Sequence, residues 1–232
     1  MQRAPMQAQA RTQLFVLIAC EESQAECAAF RALGHIAFSC DVQLCKPSGN
    51  PSWHIHQDCV PLLRGQKKFT TQDGIEHSVP GWDLIIAHPP CTYLCKVGSP
   101  HLIRHTELGT LINKERWGKM IEGAKFFRQC LRAKAPYVAV ENPIPMRRAN
   151  LPKPDFYADP SWFGVKYTKK TLYWVRNLPP IMPELEHSNP RSYVHSSRGK
   201  YRSRTFPAMA EAIARQWSSY ILDELNNKQS HE

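Results

Sequence analysis

Apolar and polar positions along this chain fall into two alternating kinds of segment. Short unbroken apolar runs predict buried strands at 14–19 (LFVLIA), 36–40 (IAFSC), 82–87 (WDLIIA), 137–140 (YVAV) and 171–175 (TLYWV), with a further short strand at 54–58. Between them, apolar positions recur near every 3.6 residues. The first such stretch predicts a helix over 22–33, with Ala25, Ala28, Ala29, Ala32 and Leu33 on one small apolar face and Gly34 as its stop. A second covers 115–133 through Trp117, Met120, Ile121, Ala124, Phe127, Cys130 and Leu131, and a third covers 208–222. A helical turn begins at Val60. Residues 64–81 read as a surface excursion, 96–114 as a long loop, and 176–206 as an aperiodic stretch rich in Pro, Ser and Arg.

Strands alternating with helices imply an α/β fold, a mostly parallel sheet with helices on both faces, which binds ligands at the carboxyl ends of its strands. The chain has 232 residues, of which 42% are hydrophobic, enough for one such domain and hardly for two. We expect a flexible tail over 1–13, the domain over 14–222, and a second flexible tail over 223–232. No run of eighteen apolar residues exists, so no membrane span is expected. The polar opening MQRAPMQAQARTQ lacks the apolar core of a signal peptide. With eight cysteines in no dense framework, this points to reduced thiols and a cytoplasmic protein. Cys40, Cys45, His54, His56 and Cys59 lack the tight knuckle spacing of structural zinc, so no metal is expected. The net charge of +10 suits a polyanionic partner, because each neutralised phosphate releases counterions.

Chemistry concentrates just past the predicted strands, in Ala19-Cys20-Glu21-Glu22, Asp41-Val42, Asp58-Cys59, Pro89-Pro90-Cys91 and Glu141-Asn142. In the first half, a strand, a turn and a helix N-terminus suit a nucleoside cofactor, and Asp41 can hold ribose hydroxyls. The glycines that usually admit such a cofactor are replaced by ACEESQ. In the second half, two prolines fix the backbone and present the Cys91 thiol, a strong nucleophile once ionised. His88 is one candidate base for it, although three residues back in an extended segment it can point elsewhere. Glu141 can exchange a proton across the same pocket. Cys95 reads as a structural thiol.

A Pro-Pro-Cys after a strand, then a loop, a helix, a strand and Glu-Asn-Pro resembles the DNA cytosine-5 methyltransferases, which carry a Pro-Cys and a Glu-Asn-Val motif in this order. The segment 163–175 (FGVKYTKKTLYWV) is similar to that family's Tyr-Gly-Val segment and its following Gln-x-Arg-x-Arg strand. Arg204-Thr205-Phe206-Pro207 and AMAEAIARQW resemble its closing motifs. The likeness is closer to small phage and prophage methyltransferase-like proteins that share ACEESQ, AHPPCTYL and VENP, and it covers about residues 14–222.

The resemblance implies a single Rossmann-like domain that uses S-adenosylmethionine as cofactor and DNA as substrate, with the target cytosine flipped out of a duplex. It implies catalytic roles for Cys91, Glu141 and Lys169. Cofactor contacts fall to Ala19, Cys20, Glu21, Glu22, Asp41, Val42, Asp58, Cys59 and Pro89. Substrate contacts fall to Pro90, Asn142, Arg191, Arg198, Lys200 and Arg202. The chain departs from the family at several points. Glu-Asn-Val has become Glu-Asn-Pro, and Lys169 and Thr171 stand for two arginines. Only about thirty residues, 176–206, a short basic loop, occupy the place of the target-recognition domain, too few for a core of their own. Target recognition would then be weak or come from a homodimer or a partner protein. Two other readings follow from these departures: an enzyme acting on free pyrimidine nucleotide or single-stranded nucleic acid, and a non-catalytic DNA-binding or regulatory relative.

Overall fold

A computed structural model describes residues 10–106, 109–185, 189–193 and 205–229. The strands β1 (Phe15–Ala19), β2 (Ile36–Asp41), β3 (His54–His56), β6 (Leu84–Ala87) and β9 (Tyr137–Asn142) pair in parallel. Two more, β10 (Phe156–Ala158) and β12 (Thr171–Arg176), extend the sheet, β12 lying antiparallel between β9 and β10. The seven-stranded order is β10-β12-β9-β6-β1-β2-β3. The chain therefore reverses direction of travel between β1 and β6, and ligands of open parallel sheets bind outside such a switch point.

Alternation along the strands feeds two cores. Val16, Ile18, Leu84, Ile86 and Ala139 face α1 (Ala25–Ala32) and α4 (Pro207–Gln229), against Phe30, Ile213 and Trp217. Leu17, Ala19, Ile85, Ala87, Val138 and Val140 face α2 (Val60–Leu63) and α3 (Lys114–Leu131), against Leu62, Met120 and Phe127. A sheet covered on both faces needs apolar residues at every position, which is why these strands read as unbroken apolar runs rather than as alternating ones.

Several expectations are corrected. The excursion at 64–81 contains a hairpin, β4 (Lys68–Thr70) with β5 (Glu76–Ser78), whose Phe69 stacks on Trp82. The loop at 96–114 contains another, β7 (Ile103–Thr106) with β8 (Gly109–Ile112). Both are too short and too polar to show a period of two in the sequence. The last helix does not end at Leu222 but runs to Gln229, into the expected tail. At the other end Arg11 makes two bonds to the Asp83 carboxylate, at 2.8 and 2.5 Å, inside what reads as a flexible tail. The buried face of α1 is not the alanine stripe. Ala28, Ala32 and Leu33 are exposed, whereas Glu26, Cys27, Ala29 and Phe30 are buried. One phenylalanine outweighs several alanines in apolar area, and Glu26 goes inside because a partner awaits it there. Short strands β11 (Tyr167–Thr168) and β13 (Arg191–Ser192) pair beside the main sheet. Among the described residues no helix is long and apolar enough to cross a membrane.

Candidate active site

Because β1, β2, β3, β6 and β9 run in parallel, the turns after Ala19, Asp41, His56, Ala87 and Asn142 share one edge. The turn after β1 does without glycine. Cys20 (φ 62) and Gln24 (φ 58) both adopt the left-handed conformation that glycine ordinarily supplies. Gln24 caps no helix N–H with its side chain. The Glu21 carboxylate does so instead, accepting from the backbone N–H of Glu26 (2.8 Å) and Cys27 (3.3 Å). Glu21 therefore points under the helix and is only 5% exposed. Cys20 Sγ lies 3.8 Å from Cys59 Sγ, and Glu22 pairs with Lys46 at 3.3 Å.

Asp41 ends β2 and Asp58 lies two residues past the end of β3, its neighbour. Asp41 accepts from the Gln43 N–H at 2.8 Å and Asp58 from the Val60 N–H at 2.9 Å. Each binds through one carboxylate oxygen, and Asp58 is on the surface. Val42 is 69% exposed, and its carbonyl meets His56 Nε2 at 3.0 Å.

The second half of the edge is built round His88, whose side chain is 14% exposed. β6 ends at Ala87, and His88 turns inward instead of continuing the strand. Its Nδ1 lies 3.0 Å from Glu141 Oε2 and its Nε2 lies 3.0 Å from Glu26 Oε2. Glu26 is fully buried, and its Oε1 is buried without a partner. Burial pulls the His88 pKa down, but the Glu26 charge and the bonds to both carboxylates outweigh it and raise it well above the ordinary histidine value. Burial tends to raise the Glu141 pKa, but the His88 bond and the Lys169 charge leave it below the ordinary carboxylate value. The two acids thus favour the protonated form of the His88 ring held between them. Its sequence signal was a lone acid, Glu26, on the inward side of an apolar helix.

Past His88, the carbonyl of buried Pro89 accepts from Asn142 Nδ2 at 2.7 Å, which locks the prolyl corner to the end of β9. Asn142 is 1% exposed and its Oδ1 is buried without a partner, while Pro90 is exposed. Cys91 follows, half-buried, in a turn whose carbonyl accepts from the N–H of Leu94 and of Cys95, both at 2.9 Å. That turn brings the Cys95 thiol onto the Cys91 thiol. Their hydrogen bond, with burial next, raises the Cys91 pKa. The same bond, helped by backbone N–H groups at Val97 and Gly98, lowers the Cys95 pKa to about 6. The bond between the two thiols thus favours ionisation of Cys95 over that of Cys91. The sequence alone marks Cys95 only as a structural thiol.

Lys169 reaches Glu141 from the segment before β12. Its N–H bonds Asp159 Oδ2 at 3.0 Å, while Asp159 Oδ1 holds both the Ser161 N–H and hydroxyl. This Asp-Pro-Ser turn fixes where Lys169 leaves the chain, and Asp159 too went unmarked in the sequence. A small cavity beside Glu141 is lined by Lys169, Thr171, Tyr173, Phe206 and Met209. A second cavity, about 360 Å³, lies between the end of α3 and Asn150–Pro152. It holds Arg128 and Arg132 but no nucleophile or acid, and it is away from the edge that carries the chemistry.

Cations flank aromatic rings beside both reactive groups. Near Cys91, Arg116 and Lys119 lie 4.8 and 5.6 Å from the centre of the Tyr93 ring. Near Glu141, Lys170 lies 4.3 Å from that of Tyr157 and Lys166 5.6 Å from that of Tyr167. Arg191 is exposed, its N–H bonded to the Lys166 carbonyl at 2.8 Å. Arg198, Lys200 and Arg202 lie outside the described residues.

The carboxyl cluster also sets a pH dependence. Burial first, and the Glu26 charge second, push Glu21 from an ordinary 4.5 up to about 7. A carboxyl that holds its proton more tightly folded than unfolded releases it on unfolding. Its contribution to stability therefore falls as pH climbs from 4.5 to about 7. His88 adds loss only above the ordinary histidine value, and Glu141 only at acid pH. Glu21→Gln keeps an acceptor for the helix N–H groups and removes the titration. Its denaturation midpoint is expected to change less than the native protein's between pH 5 and 7; parallel curves for the two proteins would refute the assignment.

No protein-family model and no curated sequence matches the chain. Among solved structures, it is similar to a candidate DNA modification methyltransferase encoded within an Escherichia coli prophage. The two are 14% identical with a TM-score of 0.40, over 75% of this chain and 52% of the other. The chain thus spans about half the length of that neighbour.

Proposed function

We propose that this protein is a DNA cytosine-5 methyltransferase that uses S-adenosylmethionine and a transient covalent bond from Cys91 to cytosine C6. The observation that carries the reading is the meeting at one sheet edge of Cys91, from the end of β6, and Lys169, from the start of β12, both electrostatically coupled to Glu141. That is a nucleophile, an acid and a cation gathered at an edge where parallel sheets bind ligands, the last two lining one small cavity.

The cofactor would lie at the β1–β6 switch point. The left-handed turn after Ala19 leaves its backbone against the helix N-terminus, and each of Asp41 and Asp58 engages the backbone through one carboxylate oxygen, which leaves the other for ribose or adenine. Cys20, Cys59, Val42 and Pro89 would form its walls. Glu21 and Glu22, turned to the helix and to Lys46, would act through the shape of the turn. S-Adenosylmethionine supplies the methyl group.

The chemistry of the chain itself follows from the pair of thiols. Cys91 passes its proton to Cys95 as its sulfur closes on C6, and the C5–C6 π electrons move toward N3 and the exocyclic amine edge, held by Glu141. Carbon 5 becomes enamine-like and can take the methyl group. A water-linked base then removes the C5 proton, the electrons return, and the S–C6 bond breaks. Lys169 steadies Glu141 and faces the base or its phosphate. Prolines on either side of one peptide bond hold the nucleophile in place, where misplacement is costly.

Recognition would rest on the backbone. The segment 178–185 packs on α4 through Leu178, Ile181, the Met182–Gln216 bonds and the Glu184–Arg215 ion pair, not as a separate unit. The cation–aromatic groups, with Arg191, Arg198, Lys200 and Arg202, would meet phosphates and unstacked bases. This short readout also favours a second reading, an enzyme of single strands or free nucleotides. Labelled methyl transfer to duplex DNA, single-stranded DNA, RNA and dCMP, run side by side, tests both. We expect the duplex to be preferred. Transfer confined to dCMP or single strands would replace the first reading with the second, and no transfer with no cofactor binding would refute both.

A further inference from the structure

Neither the covalent step nor the cofactor site uses Glu26 and His88, yet Glu26 is fully buried and the His88 side chain is only 14% exposed. A charged carboxylate and an imidazolium are costly to bury unless each pays its way with a partner. Glu26 comes from α1, His88 from the end of β6 and Glu141 from the end of β9, three elements distant in the chain. His88 spans the two carboxylates with bonds of 3.0 Å on each side. A lone buried acid with no catalytic neighbour would be replaced by an apolar residue at little cost. This one is linked, through one histidine, to the acid of the reaction.

We propose that Glu26, His88 and Glu141 form a proton relay that supplies N3 of the target base, with His88 as its proton store and Glu26 as the residue that keeps it charged. The proposal rests on the methyltransfer reading and adds the source of a proton that the reading needs. As Cys91 sulfur bonds to C6, electron density gathers at N3. Glu141, a carboxylate at the start, takes the Nδ1 proton of His88 and passes it to N3, which leaves His88 neutral with its Nε2–H on Glu26. When the S–C6 bond breaks, the N3 proton returns through Glu141 to Nδ1. One proton goes out and the same number comes back, and no oxidant or further reactant is needed. His88 and Glu26 touch neither substrate nor cofactor, so both are positioning residues that act through Glu141.

The groups that face this store are accounted for on every side. From the β1–α1 turn comes Glu21, which is coupled to both Glu26 and His88. From α1 comes Glu26, from β9 Glu141, and from the start of β12 Lys169, whose charge acts on Glu141. Tyr173 of β12 lies beside Glu26 and Glu141, and its burial first, then their charges, raise its pKa and keep its hydroxyl neutral. The carboxylates thus outnumber the cation beside His88. The unpartnered Glu26 Oε1 is the mark of a carboxylate committed on one oxygen only.

The relay predicts a bell-shaped pH profile for kcat, the acid limb from the thiol pair and the alkaline limb from loss of the His88 proton. His88→Gln is expected to lower kcat about a hundredfold and to remove the alkaline limb, with the affinity for S-adenosylmethionine unchanged. Glu26→Gln keeps a hydrogen-bond partner but removes its charge. It is expected to move the alkaline limb to lower pH and leave kcat at the optimum within a fewfold. Nitrogen NMR of the wild-type protein supplies a reading independent of activity, and both ring nitrogens of His88 should stay protonated at pH 8. A neutral His88 at pH 7, or a Glu26→Gln profile with an unmoved alkaline limb, overturns the relay while leaving methyltransfer intact. Failure of the wild-type protein to transfer methyl to any nucleic acid or nucleotide overturns the methyltransfer reading, and the relay with it.

Discussion

Cys91→Ser is expected to lose at least about a thousandfold in methyl transfer, because a serine hydroxyl cannot supply the covalent route at neutral pH. S-Adenosylmethionine affinity should stay the same, since Cys91 lies across the edge from Asp41 and Asp58. The neighbouring thiol makes the comparison sharper. Cys95 ionises more readily than Cys91 and on reactivity alone would be the better thiolate. In our account Cys95 receives the Cys91 proton, so Cys95→Ala should slow transfer and not abolish it. Calorimetry for the cofactor and initial rates for transfer check both variants. A Cys91→Ser protein with most of its activity would remove the covalent mechanism.

Glu141→Gln should cost about 10²- to 10³-fold in kcat, the usual effect of removing one preorganised group that meets developing charge. The amide can still accept a bond from His88 and sit beside Lys169, so the fold should survive. It cannot carry a proton to N3. Measurement of kcat and KM apart is decisive here. A fall in kcat with little change in KM for DNA is the expected result. A rise in KM with kcat preserved would mean that Glu141 only binds.

Much of this arrangement was visible in the sequence, because its chemistry sits where turns must be. Apolar runs placed β1, β2, β6 and β9 within a few residues, and the positions just past Ala19, Asp41, Ala87 and Val140 marked the edge that carries the site. Pairing partners were harder to read. His88 was noted only as a base for Cys91, and it instead faces Glu26 and Glu141. Nothing in local spacing tells which of two sides a side chain takes after a strand ends. Glu26 was hidden by the alanines beside it, since a period of 3.6 counts apolar positions and cannot see that a buried acid has a partner sixty-two residues away. The hairpins β4–β5 and β7–β8 failed for the opposite reason: strands of three or four residues with polar partners carry no periodicity to read. Cys95 looked inert because its role comes from a turn that folds it back over Cys91.

The covalent adduct is the central claim, and a duplex bearing 5-fluorocytosine at the target position tests it most directly. Fluorine at C5 cannot leave as a proton does, so the reaction stalls after methyl transfer with the enzyme still bonded to C6. The expected product is a denaturant-resistant protein–DNA complex that needs S-adenosylmethionine, with peptide mass analysis placing the bond on Cys91. Absence of any complex from a protein that methylates ordinary duplex DNA, or a bond mapped to Cys95, would contradict it.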